Sequence, residues 1–320
     1  MQNSKLNNQI PVLDLSDYLT GNDAALASLA SELRHALEEV GFFYIVGHGI
    51  AKETIQQAFD ITRKFHALPL QDKKEILINQ MNLGYMPDRG QKVTTSSVAD
   101  GDKPDRGSAF FMIRDRAPGM SESPNQWPSA MPELREVLVP YFEDMIRLGR
   151  KMLPIFASAL ALEEDYFDSH FDEYGALCFQ RASHYPADPL ETGQYSCGPH
   201  TDGSFLTLLA TTDVPGLEIQ TADGEWISAP LWEGSFLVNS GDMLTRWTNG
   251  RFRSTPHRVI NDSGKDRYAI PFFMQPNPDS VIECLPTCRD DSNPPKEEPI
   301  TCAAYLKWYL ENNFLHYDNE

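Results

Sequence analysis

"GPHTDGSFLTLL", Gly198 to Leu209, is the stretch on which the reading of this chain turns. His200 and Asp202 stand two residues apart, so on a strand or at its edge their side chains project to the same side. An imidazole and a carboxylate on one side supply two-thirds of a facial metal-ligand set. The third ligand must come from elsewhere in the chain. His257, in "STPHRVI" just ahead of another apolar run, is the best candidate. Two histidines and one carboxylate, with the remaining metal positions open, are the ligand set of non-haem iron(II) oxygenases. Taken alone, a His-x-Asp pair is weak evidence, because such pairs often arise by chance in solvated or core positions.

The surroundings of this stretch read as short strands. From Ala176 to about Gln275 they are expected at Leu177–Tyr185, Phe205–Thr211, Leu217–Thr221, Glu225–Ser228, Phe236–Ser240, Arg258–Asn261 and Arg267–Gln275. Turn signals at Pro215-Gly216, Asp223-Gly224, Asn249-Gly250 and Ser263-Gly264 separate them. Many short strands at this spacing argue for a double-stranded β-helix, or jelly roll. Upstream, "IPVLDLSDY" (Ile10 to Tyr18) reads as a short strand and a turn. Leu26, Leu29, Leu33 and Leu37 recur at helical spacing within Asp23 to Glu39. Gly41 closes that helix, and "FFYIV" (Phe42 to Val46) is a buried strand. Helices follow at Lys52–Leu68 and Glu133–Leu162, with Pro154 a kink or boundary in the second. A strand is expected at Ser108–Ile113, and a helix over Thr301–Phe314 closes the chain. The expected fold class is mixed α+β, with a jelly-roll core flanked by N-terminal and C-terminal helices. Residues 1–130 form an N-terminal α/β region, and 131–320 hold the jelly roll and the last helix.

Composition narrows the partners. The 320 residues are 41% hydrophobic and 23% charged, an ordinary globular balance. A net charge of -19, from 46 acidic against 27 basic residues, disfavours nucleic acid and anionic membrane as partners. The N-terminus shows no secretory signal, and no apolar run reaches the length of a membrane span. The five cysteines, Cys178, Cys197, Cys284, Cys288 and Cys302, are scattered and odd in number, which fits reduced thiols in a cytoplasmic protein. Cys284 and Cys288 read as part of an ordinary surface loop rather than a zinc site. Oligomeric state leaves no signal.

Beyond the triad, "IPVLDLSDY", "ALEEVGFFYIVGHGI", "HALPLQDKK", "RASHYP", "HTDGSFLTLL", "NSGDMLTRWTNGRFRSTPHRV" and "RYAIPFF" occur in this order, almost end to end. In these the chain resembles the isopenicillin N synthase-like family of iron(II)- and 2-oxoglutarate-dependent oxygenases. The resemblance implies Fe(2+) held by His200, Asp202 and His257, with 2-oxoglutarate and O2 as co-substrates. It implies oxidative decarboxylation to succinate and CO2, coupled to hydroxylation, desaturation or ring closure at a C–H bond of a small-molecule substrate. The family's Arg-x-Ser pair, which grips the distal carboxylate of 2-oxoglutarate, falls on Arg267 and Ala269, so the serine is missing. Its Asn-x-Tyr motif falls on Ser183 and Tyr185, where the tyrosine is kept and the asparagine is not. Strand alternation puts Arg181, Ser183 and Tyr185 on one face, so all three are co-substrate candidates. Phe110 and Phe273 are candidates for the substrate pocket, against ordinary core packing. The loops around Leu83 to Pro104 and the C-terminal segment are expected to shape that pocket. The Ala269 departure leaves an iron oxidase that uses no 2-oxoglutarate, as in isopenicillin N synthase itself, or an ethylene-forming relative, as alternatives. A non-catalytic member keeping the fold is a third.

Overall fold

The computed structural model describes residues 10–22, 24–92, 103–115, 125–172 and 176–313. Asp23, Phe314, His316 and much of the expected substrate loop lie outside the described residues. The N-terminal part carries β1 (Val12–Asp14), α1 (Ser16–Leu19), α2 (Ala24–Glu39), β2 (Phe42–Val46), α3 (Lys52–Ala67) and α4 (Leu70–Lys74). Next come β3 (Gly84–Met86), β4 (Ser108–Ile113) and the long α5 (Glu133–Ala159). The core strands are β5 (Phe179–Tyr185), β6 (Cys197–His200), β7 (Leu206–Thr211), β8 (Leu217–Gln220), β9 (Trp226–Ser228) and β10 (Phe236–Ser240). After α6 (Asp242–Trp247) they continue with β11 (His257–Val259) and β12 (Arg267–Met274). The small pair β13 (Val281–Ile282) and β14 (Ile300–Thr301) precedes α7 (Cys302–Asn313).

Eight strands form the larger sheet in the order β1-β2-β10-β7-β12-β5-β4-β3, and four form the smaller, β6-β11-β8-β9. The N-terminal strands thus extend the core sheet at both edges, β1–β2 at one and β3–β4 at the other. The larger sheet alternates strictly. On β12, Ile270, Phe272 and Met274 face outward into the main apolar core, while Ala269 faces inward with Tyr44, Tyr185, Leu217, Leu237 and Val259. The outward face is covered by the leucine stripe of α2 and the apolar faces of α3 and α5. The inward face looks toward the smaller sheet, and the polar residues of interest stand between the two.

The helix expected to kink or end at Pro154 runs through it, and through Pro140 as well. Each proline removes one backbone donor, at a cost of roughly 3 kcal/mol in a helix interior. Met152, Leu153, Ile155 and Phe156 are all buried around Pro154, and tertiary packing of this kind supplies most of a helix's stability. Cys284 and Cys288 are not surface residues either. Both are buried in the core beside Leu285 and Trp247, and all five cysteines are free thiols.

Candidate metal centre

His200 and His257 are direct cross-strand partners in the β6–β11 ladder, which shifts register immediately after that pair. Their rings lie 4.3 Å apart, centre to centre. Asp202 follows β6 on the connection to β7. Its Oδ1 is 3.7 Å from Nε2 of His200 and 3.6 Å from Nε2 of His257. One ligand atom from each residue lies within 4.8 Å of the other two, and these three residues are the single such cluster among the described residues.

Each donor is aimed by a second contact. Nδ1 of His200 lies 2.8 Å from the Gly198 carbonyl, and Nδ1 of His257 lies 3.2 Å from that of Thr255. A carbonyl only accepts, so each Nδ1 carries the proton and each Nε2 keeps its lone pair for a metal. Oδ2 of Asp202 accepts from Thr207 Oγ1 and Asn239 Nδ2, both at 2.7 Å, which leaves Oδ1 for the metal. Burial works against the Asp202 charge. Without a metal, positive charge on the flanking imidazoles, together with the bonds from Asn239 and Thr207, outweighs it and holds the carboxyl below its ordinary range. Two neutral imidazoles and one ionised, singly available oxygen fit a divalent iron with open positions.

The candidate co-substrate residues lie on the larger sheet. Arg267 is 2% exposed, and its Nε and Nη1 have no hydrogen-bond partner. Its guanidinium sits 5.4 Å from the ring centre of Tyr185, its register partner on β5. Burial also raises the pKa of the Tyr185 hydroxyl, so it keeps its proton as a donor. A buried cation without a counter-charge is costly, so an incoming carboxylate fits this place. Ser183 stands directly across from Ala269, and its buried Oγ has no partner. Arg181, two residues before Ser183, shares this inward face and lies 5.4 Å from the ring centre of Phe111.

The two aromatic candidates separate. Phe273 is half-buried and stacks on Phe179 with ring centres 4.4 Å apart, in phase with Arg267 and Ala269 on β12. Phe110 instead points outward, fully buried between Phe65 and Trp127. Its neighbour Phe111 takes the inward position, because strand alternation allows only one of the two to face the site. The other histidines of note are occupied elsewhere. His48 bonds Gly234 and Ile50, His66 bonds Ala182 and Ser108, and His184 bonds Asp266 on the outward face.

Several further residues of the site carry little or no mark in the sequence. Asn239 is accessible in principle, since alternation along β10 turns it inward with Leu237. Asp105 leaves no signal, yet its Oδ1 accepts the Gly198 N–H at 2.9 Å and so steadies the turn behind His200. Tyr309 of α7 lays its ring over Gly203, 2.9 Å from where a Cβ would stand, and its hydroxyl donates to the Thr201 carbonyl at 3.3 Å.

The arrangement combines a candidate metal triad with a buried arginine that lacks a counter-charge, both within a jelly roll. Family models agree. Residues 10–130 match that of the non-haem dioxygenase in morphine synthesis N-terminal region, and residues 176–276 that of the 2OG-Fe(II) oxygenase superfamily. The chain is 35% identical to the 2-oxoglutarate-Fe(II) type oxidoreductase hxnY of Emericella nidulans, covering 95% of this chain and 90% of that one. It is 36% identical to kihadalactone A synthase LFS of Citrus sinensis, over 93% and 92% of the two chains. The fold is similar to that of a full-length Neurospora crassa protein in complex with alpha-KG and thymine, with a TM-score of 0.83 at 29% identity, covering 95% and 96%. The chain belongs to the 2OG-Fe(II) oxygenase superfamily. It is an iron(II)- and 2-oxoglutarate-dependent dioxygenase that oxidises a C–H bond of a small molecule, using O2 and releasing succinate and CO2.

Proposed function

We propose that His200, Asp202 and His257 are the iron ligands, and that Arg267, Tyr185 and Ser183 bind the distal carboxylate of 2-oxoglutarate. The observation that carries the second assignment is the buried, unpartnered guanidinium of Arg267, aligned across β5 and β12 with Tyr185. When bound, the iron and 2-oxoglutarate supply the oxidising power for the C–H bond. The chain's own residues do the rest. His200 and His257 present neutral nitrogens, and Asp202 presents one oxygen while Thr207 and Asn239 restrain the other. Arg267 and Tyr185 fix the far end of the co-substrate, which sets its angle toward the metal. Phe273 and Phe179 form an apolar wall on the same face, suited to exclude water and seat the substrate. Five free thiols support the cytoplasmic location expected from the sequence. Residues 1–130 act with the core as one unit, since their strands extend its sheet.

The test is spectroscopic. Iron(II) followed by 2-oxoglutarate, without oxygen, should give a weak visible charge-transfer band that requires both. His257→Ala and Asp202→Ala should abolish iron binding, and Arg267→Ala should remove the band while iron still binds. A band of normal strength in Arg267→Ala would overturn the co-substrate assignment.

A further inference from the structure

Among the described residues only two arginines are buried, Arg181 and Arg267, and neither is in an ion pair. Both belong to the inward face of the larger sheet. A single distal carboxylate neutralises one of them. Arg181 lies four residues from Tyr185 on β5, roughly 13 Å at the rise of a strand, and stands opposite Phe111 of β4 rather than in the Arg267–Tyr185 pair.

The surroundings of Arg181 make it a built site rather than a stray charge. The residue is 9% exposed. Its Nη1 donates to Gln91 Oε1 at 2.8 Å, its Nε has no partner, and Phe111 lies beneath the guanidinium plane. The Gln91 carbonyl accepts the Asp105 N–H at 2.9 Å, Asp105 Oδ1 accepts the Gly198 N–H, and the Gly198 carbonyl accepts from His200. Hydrogen bonds therefore run unbroken from Arg181 to a metal ligand. Asp105 is the acid nearest in this chain of contacts, but it makes no ion pair with Arg181, and burial pushes its carboxyl up to about 7. A buried guanidinium normally has its counter-charge at hand. Here the described residues do not provide it.

We propose that Arg181 anchors an acidic group of the primary substrate, and that the substrates of this enzyme are small organic carboxylates. The inference rests on the assignment of Arg267 to 2-oxoglutarate. Phe111 lies 5.4 Å from the guanidinium and Gln91 holds Nη1, which leaves the unpartnered Nε to receive a carboxylate. Anchoring one end at Arg181 leaves the rest of the substrate to lie along the Phe179–Phe273 wall.

The experiment uses the anaerobic protein loaded with iron(II) and 2-oxoglutarate, and reads changes in the charge-transfer band. The probes are matched pairs: benzoate and benzamide, phenylacetate and phenylacetamide, hexanoate and hexanamide. At least one acid should perturb the band and bind about 30-fold or more tightly than its amide, the range for one partner of a buried charged pair. Arg181→Gln should bind that acid no better than the wild type binds the amide, and Arg181→Lys should fall between. In both variants 2-oxoglutarate should titrate as in the wild type, which also shows that the site is folded. Amides binding as well as acids, no acid perturbing the band, or Arg181→Gln keeping full acid affinity would each overturn the proposal. A weakened 2-oxoglutarate titration in Arg181→Gln would overturn it too, moving Arg181 into the co-substrate site. Absence of the band in the wild type would instead bring down the Arg267 assignment on which it rests.

Discussion

The missing serine at position 269 invites a direct test. Ala269 and Ser183 face each other across the β5–β12 ladder, and both side chains point inward. Directly opposed residues of an antiparallel pair hold their Cβ atoms about 4.5–5.5 Å apart. A hydroxyl on either strand therefore reaches nearly the same volume beside Arg267, and the Ser183 hydroxyl has no other partner. The chain retains the hydroxyl but carries it on the neighbouring strand. A hydrogen bond to a charged group contributes about 1.5–3 kcal/mol. Ser183→Ala should thus weaken 2-oxoglutarate by about 10- to 150-fold. Ala269→Ser in that background should restore most of the loss, since it returns one hydroxyl to the same carboxylate. Ala269→Ser alone should gain little, because the carboxylate is already served. The assay is anaerobic titration of the iron protein with 2-oxoglutarate, done for all four members of the cycle. An unchanged affinity in Ser183→Ala would refute the reasoning, as would two strictly additive substitutions with no rescue.

Three further outcomes follow from contacts around the metal. Thr207→Val and Asn239→Ala each free one lone pair of Asp202 Oδ2, and each should weaken iron binding by about 10- to 100-fold in an anaerobic titration; an unchanged affinity would detach them from the site. Gly203→Leu collides with the Tyr309 ring, and overpacking of this kind costs about 1–3 kcal/mol; the melting temperature should fall and recover in Gly203→Leu/Tyr309→Ala, and failure to recover would show that α7 does not press on this loop. For Asp105, burial raises the folded carboxyl from 3.8 to about 7, so the folded chain holds that proton more tightly than the unfolded chain. The stabilisation is complete below the unfolded value and is lost as pH rises through about 7. Asp105→Asn keeps an acceptor for Gly198 but does not titrate, so denaturant unfolding of the metal-free variant should gain on the wild type between about pH 5 and about pH 8; parallel curves would remove Asp105 from the account.

Legibility in the sequence follows the strength of local periodicity. Phe42–Val46 and Phe236–Ser240 are apolar runs bounded by glycine or polar turns, and both can be read to the residue. Cys197–His200 is hidden as a strand because glycine and proline occupy its middle, residues that local preference assigns to turns. Its pairing with β11 decides the matter, and such long-range pairing has no local mark. Asp242–Trp247 is hidden because six residues are too few to show a helical period. The metal triad is legible because its ligand types are rare together and sit at strand spacing. Phe110 stands one position away from the inward-facing Phe111 because "SAFFMI" is apolar on both faces, so alternation gives no phase. Asp105, Gln91 and Tyr309 reach the centre through tertiary contacts alone.

The metal site depends on both sheets at once. His200 and His257 are neighbours in the smaller sheet, and their spacing is set by its ladder. Asp202 leaves that sheet on the connection to β7, where Thr207 of β7 and Asn239 of β10 clamp its outer oxygen from the larger sheet. Arg267, Tyr185 and Ser183 belong to the larger sheet as well. The triad carboxylate and the proposed co-substrate residues are therefore held by one sheet, and the histidines by the other. Whatever shifts one sheet against the other changes the distance from metal to Arg267, which the length of 2-oxoglutarate must match. Tyr309, bearing on the Asp202 loop from outside both sheets, is placed to hold that spacing, so its removal should loosen iron and 2-oxoglutarate together, whereas loss of Arg267 should loosen the co-substrate alone.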